Sequence, residues 1–200
     1  MLREFIASQF RKPSGLFGNL TSKVMVKRNR IKYERIIRDL DIQLQDKILE
    51  IGYGPGAGIR MIVETYPSCF VHGIDFSKLM HRKASANNRQ YIHSGRVQLQ
   101  HGNFLELPLP DDEYDKVFCI NVIYFWKELS VPFKKVTGNL RKGGGFHIYM
   151  ADESFLRGNK APDGIFQKYS LEHVLQELKA AGFETVDYYS DGGHFIKAIK

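Results

Sequence analysis

A glycine-rich segment after an apolar run at residues 46–52 carries the residue types best suited to bind a ligand. Glu50 lies at the end of that run, where a purely structural position would carry another apolar residue. The four glycines alternate along the segment as Gly52, Gly54, Gly56 and Gly58. Glycines at such a turn allow a positive φ and let a ligand approach the backbone without a Cβ in the way. Asp75 ends the next apolar run, 23 residues after Gly52, so we expect a second carboxylate beside the same turn.

Two interpretations of this segment remain open. Gly52, Gly54 and Ala57 satisfy the dinucleotide pattern G-x-G-x-x-[G/A], in which a helix N-terminus holds a pyrophosphate, and this predicts an NAD-dependent oxidoreductase. The second interpretation is a site for a cationic ligand. Glu50 favours it, because a carboxylate beside the turn suits a cation and suits a pyrophosphate poorly. Asp75 would accept hydrogen bonds from both hydroxyls of a ribose and would repel a 2′-phosphate, so NADP is disfavoured more than NAD.

The elements that position these residues follow from the hydrophobic pattern. After residue 45, short apolar runs alternate with segments of helical period, which is typical of a parallel sheet covered by helices on both faces. The runs predicted as strands are 46–52, 69–75, 96–103, 115–121, 145–150, 183–189 and 194–200. Helices are predicted at about 59–66, from Ser77 to about Tyr91, from Ser130 to Leu140 and around 171–178. The segment RKGGG at 141–145 is predicted to end the third of these helices, and 151–164 to form a loop or flap. Because only four residues separate the last two strands, we expect the last strand to be antiparallel.

The composition indicates one globular domain. The chain has 200 residues, of which 43% are hydrophobic and 26% charged, enough to bury a single core. The longest apolar stretch, 117–126, is interrupted by Asn121 and is far shorter than the about 20 residues that a membrane-spanning helix needs. We find no secretory signal and expect a cytoplasmic protein. Cys69 and Cys119 lie in apolar runs, and we expect both to be reduced core residues.

The positive charge is concentrated in the first 40 residues. The chain carries a net charge of +7, and residues 1–40 hold ten of its 29 basic residues but only three of its 22 acidic residues. We therefore divide the chain into a basic N-terminal helical segment or lid, residues 1–40, and a ligand-binding domain, residues 41–200. In the basic segment Lys23, Lys27 and Arg30 share one helical face, and residues 20, 24 and 31 form a partial apolar stripe.

Two hypotheses for the basic segment remain open. Its bases steer an anionic small molecule, or they dock on anionic lipid as a peripheral membrane contact. Nucleic acid is less favoured, because no aromatic residues are interleaved among the bases between residues 21 and 32. The seven histidines have no mutual spacing typical of a metal site, so we expect no structural metal.

Several segments together resemble the motifs of one enzyme family. The first motif of the class I S-adenosylmethionine-dependent methyltransferases is similar to LEIGYGPGAG at 49–58. Their later motifs are similar, in the same order and spacing, to HGIDFS, to QHGNFLELPLPDDEYDKVFCINVIYFW and to LRKGGGFHI. The resemblance covers roughly residues 30–200 and extends to the small bacterial single-domain members related to the quinone-biosynthesis methyltransferases.

This resemblance implies a fold, a cofactor and a set of binding residues. The implied fold is Rossmann-like α/β: a seven-stranded, mostly parallel sheet with the last strand antiparallel, helices on both faces and an N-terminal basic helical lid. The implied cofactor is S-adenosylmethionine. The residues assigned to it are Glu50 near the ammonium group, Gly52, Gly54 and Gly56 along the methionine and ribose, Asp75 at the ribose, Phe76, Asn103 and Phe104 around the adenine, and Asn121 near the methionine moiety. Many relatives carry Asp at position 103, but an amide can also donate to and accept from the adenine edge.

The implied activity is methyl transfer to a small-molecule acceptor by in-line displacement, for which proximity is the main requirement and a general base is optional. Tyr124 is the candidate for orienting the acceptor through its hydroxyl. For each side chain a structural alternative remains open: Asp75 and Asn103 as caps, Phe76 and Phe104 as core, and Tyr124 in a packed cluster with its aromatic neighbours. The alternative functions are an NAD-dependent oxidoreductase and a non-catalytic cofactor-binding partner subunit.

Overall fold

A seven-stranded sheet forms the centre of the computed structural model, which describes residues 29–152 and 166–200. The strands are β1 (Lys47–Ile51), β2 (Phe70–Asp75), β3 (Val97–His101), β4 (Tyr114–Ile120), β5 (Leu140–Met150), β6 (Thr185–Ser190) and β7 (His194–Ile199). Their order is β3-β2-β1-β4-β5-β7-β6. Strands β1 to β5 pair in parallel, and β7 is antiparallel to both β5 and β6. The predicted mostly parallel, Rossmann-like sheet with an antiparallel last strand is confirmed.

Helices cover both faces of this sheet, as predicted. They are α1 over residues 29–39, α2 (Ala57–Thr65), α3 (Lys78–Asn87), α4 (Arg89–His93), α5 (Ser130–Asn139) and α6 (Leu171–Ala180), with a 3-10 turn at Ile123–Phe125. The first core cluster contains the buried faces of α5 and α6, and the second contains those of α1 and α2. Neighbouring residues of β4 alternate between the clusters, Cys119 in the first and Phe118 in the second, because successive strand side chains point to opposite faces. In the two described ranges, no helix has the length and apolar character needed to span a bilayer.

Both cysteines are buried and free, as predicted. Cys69 lies directly before β2 and Cys119 lies within β4, each packed among apolar side chains. Burial raises the pKa of both thiols, so the protonated form is favoured and neither has the character of a reactive thiolate.

The helix predicted from Ser77 to about Tyr91 is in fact two helices. Ser77 is the N-cap of α3, as predicted, but α3 ends at Asn87 with Asn88 as its C-cap, and the short α4 begins directly after Asn88. The Asn88 side chain donates to the carbonyl of Ala84 at 3.0 Å and to the carbonyl of Gly56 at 3.1 Å. Because this amide bonds to the backbone of two different elements, it ends the helix there instead of continuing it.

The predicted boundary between the third helix and the fifth strand is also wrong. The segment RKGGG lies inside β5, which begins at Leu140. Leu140 pairs with Tyr114 and Gly145 with Lys116, so β5 carries more residues than β4 across the same stretch. A bulge takes up the excess, and Gly143 adopts a positive φ of 76° within it.

Helix α1 packs into the core through a face other than the predicted stripe. Tyr33, Ile36, Ile37 and Leu40 are buried in the second cluster, whereas Ile31 is 63% exposed. Residues 20, 23, 24 and 27 of the predicted basic helix lie outside the described residues, as does most of the predicted flap at 151–164. The lid and the domain boundary at residue 40 therefore stay predictions, although residues 33–40 share a core cluster with the rest of the fold.

Candidate functional site

The glycine-rich turn lies at the carboxyl end of β1, where the strand order reverses between β1 and β4. Ligands of open α/β sheets bind at such a reversal. The N–H of Gly52 donates to the carbonyl of Ile74 at 2.7 Å, which ties the turn to the end of β2. Helix α2 then begins at Ala57, with Gly56 as its N-cap.

Three glycines of this turn have a positive φ, but the space around them differs. A Cβ on Gly52 would lie 2.5 Å from Val122 Cγ2, and a Cβ on Gly56 would lie 2.5 Å from Asn88 Nδ2. Packing within the protein therefore requires these two glycines. At Gly54, whose φ is 54°, no described atom lies within 4 Å of the Cβ position. Gly54 borders open space, as expected for a backbone that a ligand approaches.

Asp75 closes one side of the turn. Its carboxylate is 7% exposed, with Oδ2 accepting from the N–H of Gly54 and Oδ1 from the N–H of Ser77, both at 2.8 Å. Burial raises the pKa of Asp75 to about 6, and the two N–H donors oppose this rise. Asp75 thus makes the cap contact that the structural alternative expects. Each oxygen still has acceptor capacity for a ligand hydroxyl, because a carboxylate has about four lone-pair sites.

Glu50 lies in β1 just before the turn and is more deeply buried, at 1% exposure. Its Oε1 accepts from the Tyr33 hydroxyl at 3.1 Å, and its Oε2 has no hydrogen-bond partner in the described part of the chain. Burial, aided by the negative charge of Asp75 and opposed by the hydrogen bond from Tyr33, raises the pKa of Glu50 to about 8. An unsatisfied buried carboxylate oxygen is costly. The arrangement therefore favours a ligand that brings a positive charge or a donor to Oε2.

Asn121 and Tyr124 follow β4 on the same edge of the sheet. Asn121 has a positive φ of 58°, its Nδ2 lies 3.5 Å from Oδ1 of Asn29, and its own Oδ1 is buried without a partner among the described residues. Tyr124 is buried in the first core cluster, and its hydroxyl bonds to the backbone N–H and carbonyl of Ala151. The packing alternative is therefore favoured for Tyr124, and its role at an acceptor stays a prediction.

The residues assigned to the adenine have well-defined structural contacts. Asn103 is exposed and caps its own turn, with Oδ1 accepting from the N–H of Leu105 at 3.2 Å. Phe104 is buried in the first cluster, and its ring centroid lies 6.2 Å from that of Trp126. Phe76 is half-buried, and its carbonyl accepts from a ring nitrogen of His101 at 3.1 Å. Adenine contacts by these three residues stay predictions.

Four further residues shape the site without having been singled out in the sequence. Tyr33 binds Glu50, and the fully buried Tyr53 supports the turn through a 2.9 Å hydrogen bond between its hydroxyl and His81 Nδ1. Asn87 Nδ2 donates to the carbonyl of Pro55 at 2.9 Å, and Asn88 clamps Gly56. Each contact joins residues 17 or more positions apart, so no local pattern indicates it.

The electrostatics of the turn argue against a pyrophosphate. Glu50 and Asp75 flank the turn with two carboxylates, and the N–H of Gly54 already donates to Asp75. A diphosphate placed here would bring further negative charge to these two acidic groups and no cation to the unpartnered oxygen of Glu50. Among the described residues, no three His, Cys, Asp or Glu side chains are grouped so that they could hold a metal ion.

The fold is Rossmann-like, and the residues of the site suit a nucleoside ligand with a cationic end. Residues 48–144 match the model of a family described as a methyltransferase domain. The uncharacterized methyltransferase YdaC of Bacillus subtilis is 29% identical over 164 residues, which cover 82% of this chain and 86% of that protein. A sterol 24-C-methyltransferase of Gibberella zeae is 26% identical over 154 residues, and the match spans 71% of this chain but only 40% of that enzyme.

A solved structure shows the same fold. Phosphoethanolamine N-methyltransferase 2 of Haemonchus contortus, in complex with S-adenosyl-L-methionine, superposes with a TM-score of 0.73 at 18% identity, over 84% of this chain and 52% of that one. Taken with the motifs and the fold, these similarities show that the chain contains a methyltransferase domain of the class I S-adenosylmethionine-dependent type. Its cofactor is S-adenosylmethionine.

The residues present fit this cofactor. Its methionine ammonium needs a buried acceptor, and Glu50 has one oxygen without a partner. Its ribose diol needs a carboxylate at the neighbouring strand end, and Asp75 stands there. The part of the cofactor between the ammonium group and the ribose needs to lie against backbone that carries no side chain, and Gly54 borders open space.

Proposed function

We propose that the protein transfers the methyl group of S-adenosylmethionine to a small-molecule acceptor by in-line displacement. The single observation that carries this proposal is the pair of buried acidic side chains, Glu50 in β1 before the glycine-rich turn and Asp75 bonded to Gly54 within it. Two acidic groups at neighbouring strand ends suit a ligand with a cation at one end and a diol at the other, because the cation favours the ionised form of Glu50.

In this proposal each residue of the site contacts one part of the cofactor. The free Oε2 of Glu50 accepts from the ammonium group, and Asp75 accepts from the ribose hydroxyls. Gly54 allows the ligand to lie against the backbone. Asn121, whose Oδ1 has no partner among the described residues, is available to the methionine moiety at the end of β4.

When bound, the cofactor supplies a methyl group already activated on a positively charged sulfur. The protein then has to hold the acceptor in line and exclude water, an effect worth up to about 7–11 kcal/mol of the barrier. Tyr124 is a poor general base in this scheme, because its hydroxyl is bound to Ala151 and burial raises its pKa. Positioning rather than proton transfer carries the proposed catalysis.

The acceptor is proposed only as a small molecule. The relatives act on a sterol and on phosphoethanolamine, which differ in charge and in the atom methylated, and the chain spans only about half or less of each of those enzymes. An anionic acceptor would suit the basic residues 1–40, and a lipophilic acceptor would suit a segment docked on lipid. Incubation of cell-extract metabolites with the protein and methyl-labelled cofactor would identify the labelled product and would exclude a non-catalytic subunit.

Calorimetric titration with S-adenosylhomocysteine and with NADH tests the cofactor assignment. The wild-type protein should bind S-adenosylhomocysteine, and Asp75→Ala should weaken it by about 5- to 100-fold through the loss of charged acceptors. Asp187→Ala, which removes an exposed carboxylate on β6, is the matched control and should bind as the wild type does. Binding of NADH without binding of S-adenosylhomocysteine would overturn the proposal.

A further inference from the structure

Two side chains of helix α1 contact residues of the candidate cofactor site, Asn29 at Asn121 and Tyr33 at Glu50, and Tyr33 is the deeply buried one. This tyrosine lies 17 residues before Glu50, is 6% exposed, and donates its hydroxyl hydrogen to Glu50 Oε1 at 3.1 Å. The next buried residues of the helix, Ile36 and Ile37, pack in the second core cluster and fix the helix against the sheet. The position of the tyrosine ring is therefore set by the fold and does not depend on a bound ligand.

Gly58 provides the space that this ring occupies. A Cβ on Gly58 would lie 2.3 Å from Tyr33 Cε1, 2.6 Å from Tyr33 Cδ1 and 3.1 Å from Glu50 Oε1. Gly58 lies inside α2 and has no positive φ, so its backbone conformation does not require glycine. Glycine is required there because the tyrosine ring approaches so closely. The last glycine of the sequence motif thus serves Tyr33 rather than the turn.

We propose that Tyr33 is a positioning residue of the cofactor site: seated on Gly58, it holds one oxygen of Glu50 and leaves the other directed to the cofactor ammonium. The inference rests on the proposed function, because it takes the ligand of Glu50 to be that ammonium. Under this inference, α1 contributes to cofactor binding through Tyr33, in addition to the residues of the glycine-rich turn.

The surroundings of Glu50 make this hydrogen bond important. The groups that face the carboxylate in the described structure are acidic or neutral: Tyr33 from α1, Tyr53 from the turn, Asp75 from β2, Cys119 from β4 and the backbone N–H of Ile59 from α2. None of them is a cation. A hydrogen bond to the ionised carboxylate favours the charged form that an ammonium requires. Burial and Glu50 raise the pKa of Tyr33 itself, so Tyr33 keeps its proton and remains a donor.

Tyr33→Phe removes only the hydroxyl and tests this role through the pH dependence of binding. Without the hydroxyl, the pKa of Glu50 should rise above about 8, so a larger fraction of the protein is protonated near neutral pH and unable to pair with an ammonium. The dissociation constant of S-adenosylhomocysteine, measured by calorimetry from about pH 6 to about pH 9, should be about tenfold higher in the variant near neutral pH. The ratio of the two constants should fall as the pH rises. Ionisation of the ligand cancels in this ratio.

Tyr114→Phe is the matched control. It also removes a buried tyrosine hydroxyl, one bonded to His72 Nδ1 at 2.6 Å, but at the start of β4, away from the turn. The dissociation constant of S-adenosylhomocysteine for Tyr114→Phe, divided by that for the wild type, should stay near one at every pH. Gly58→Ala, which displaces the Tyr33 ring, should reproduce the pH-dependent loss seen with Tyr33→Phe and provides the same test should that variant not fold.

The outcomes separate the two proposals. Suppose that the wild-type protein binds S-adenosylhomocysteine. If the ratio of variant to wild-type dissociation constants then does not change with pH for Tyr33→Phe or for Gly58→Ala, the role of Tyr33 is overturned and the proposed function stays intact. A wild-type protein that does not bind S-adenosylhomocysteine at any pH overturns the proposed function itself.

Discussion

Glu50 should make the ligand-free protein less stable as the pH rises, and Glu50→Gln tests this directly. In the folded protein the pKa of Glu50 is raised from 4.5 to about 8, mainly by burial. Between these values the folded state holds a proton that the unfolded state has lost. The resulting stabilisation is fully present below about pH 4.5 and is lost as the pH rises through about 8. A shift of this size corresponds to about 3–5 kcal/mol of unfolding free energy.

Glutamine has the shape of the protonated carboxyl group and does not ionise. In urea unfolding of the ligand-free proteins, the stability of Glu50→Gln relative to the wild type should therefore be near zero at about pH 5 and should grow to about 3–5 kcal/mol by about pH 9. Glu64→Gln is the matched control, because Glu64 is an exposed carboxylate on α2 paired with Arg60 at 2.8 Å. Its difference from the wild type should stay small at every pH. An equally constant difference for Glu50→Gln would refute the claim that Glu50 is buried without a compensating charge.

Two further substitutions test glycines of the motif, one in the turn and one in α2. Gly54→Val should abolish S-adenosylhomocysteine binding in calorimetry while the far-ultraviolet circular dichroism of the sheet persists, because a side chain at a φ of 54° would fill the open space beside Asp75; undiminished binding would contradict the position assigned to the cofactor. Gly58→Ala should lower the free energy of unfolding by about 1–3 kcal/mol in the wild type through its clash with Tyr33. In a Tyr33→Ala background the same change should be neutral or stabilising, because alanine favours helix and the ring is absent; an equal cost in both backgrounds would show that the ring does not require the glycine.

The sequence predicts the centre of the sheet well because the central strands are nearly continuous apolar runs. A strand buried on both faces, such as β1 or β4, has little choice of structure, and its periodicity differs from that of the intervening helices. The errors lie where tertiary contacts override a local signal. RKGGG looks like a helix stop, yet pairing with β4 draws it into β5 as a bulge. Asn88 looks like one more helical residue, yet its bonds to Gly56 and Ala84 break the helix.

The site is predicted only in part, for a related reason. Glu50 stands out because a carboxylate ends an apolar strand, and Asp75 because it ends the next strand; both signals are local. The contact between Tyr33 and Gly58 joins an element before β1 to one after it, and each residue is unremarkable among its own neighbours. The packing of Phe104 and Tyr124 likewise depends on which cluster their rings reach, which the aromatic pattern leaves open.

The burial of Glu50 connects the stability of the fold with the choice of ligand. A carboxylate at this position stabilises neither the sheet nor the turn, because one oxygen has no partner in the described structure and no cation faces the other. Leucine or glutamine there would make the ligand-free protein more stable at neutral pH. A cationic group that reaches Oε2 offsets this cost, and a nucleotide that carries only phosphates adds to it. We therefore predict that Glu50, the residue that weakens the ligand-free fold, also favours a sulfonium amino-acid nucleoside over a dinucleotide at this glycine-rich turn.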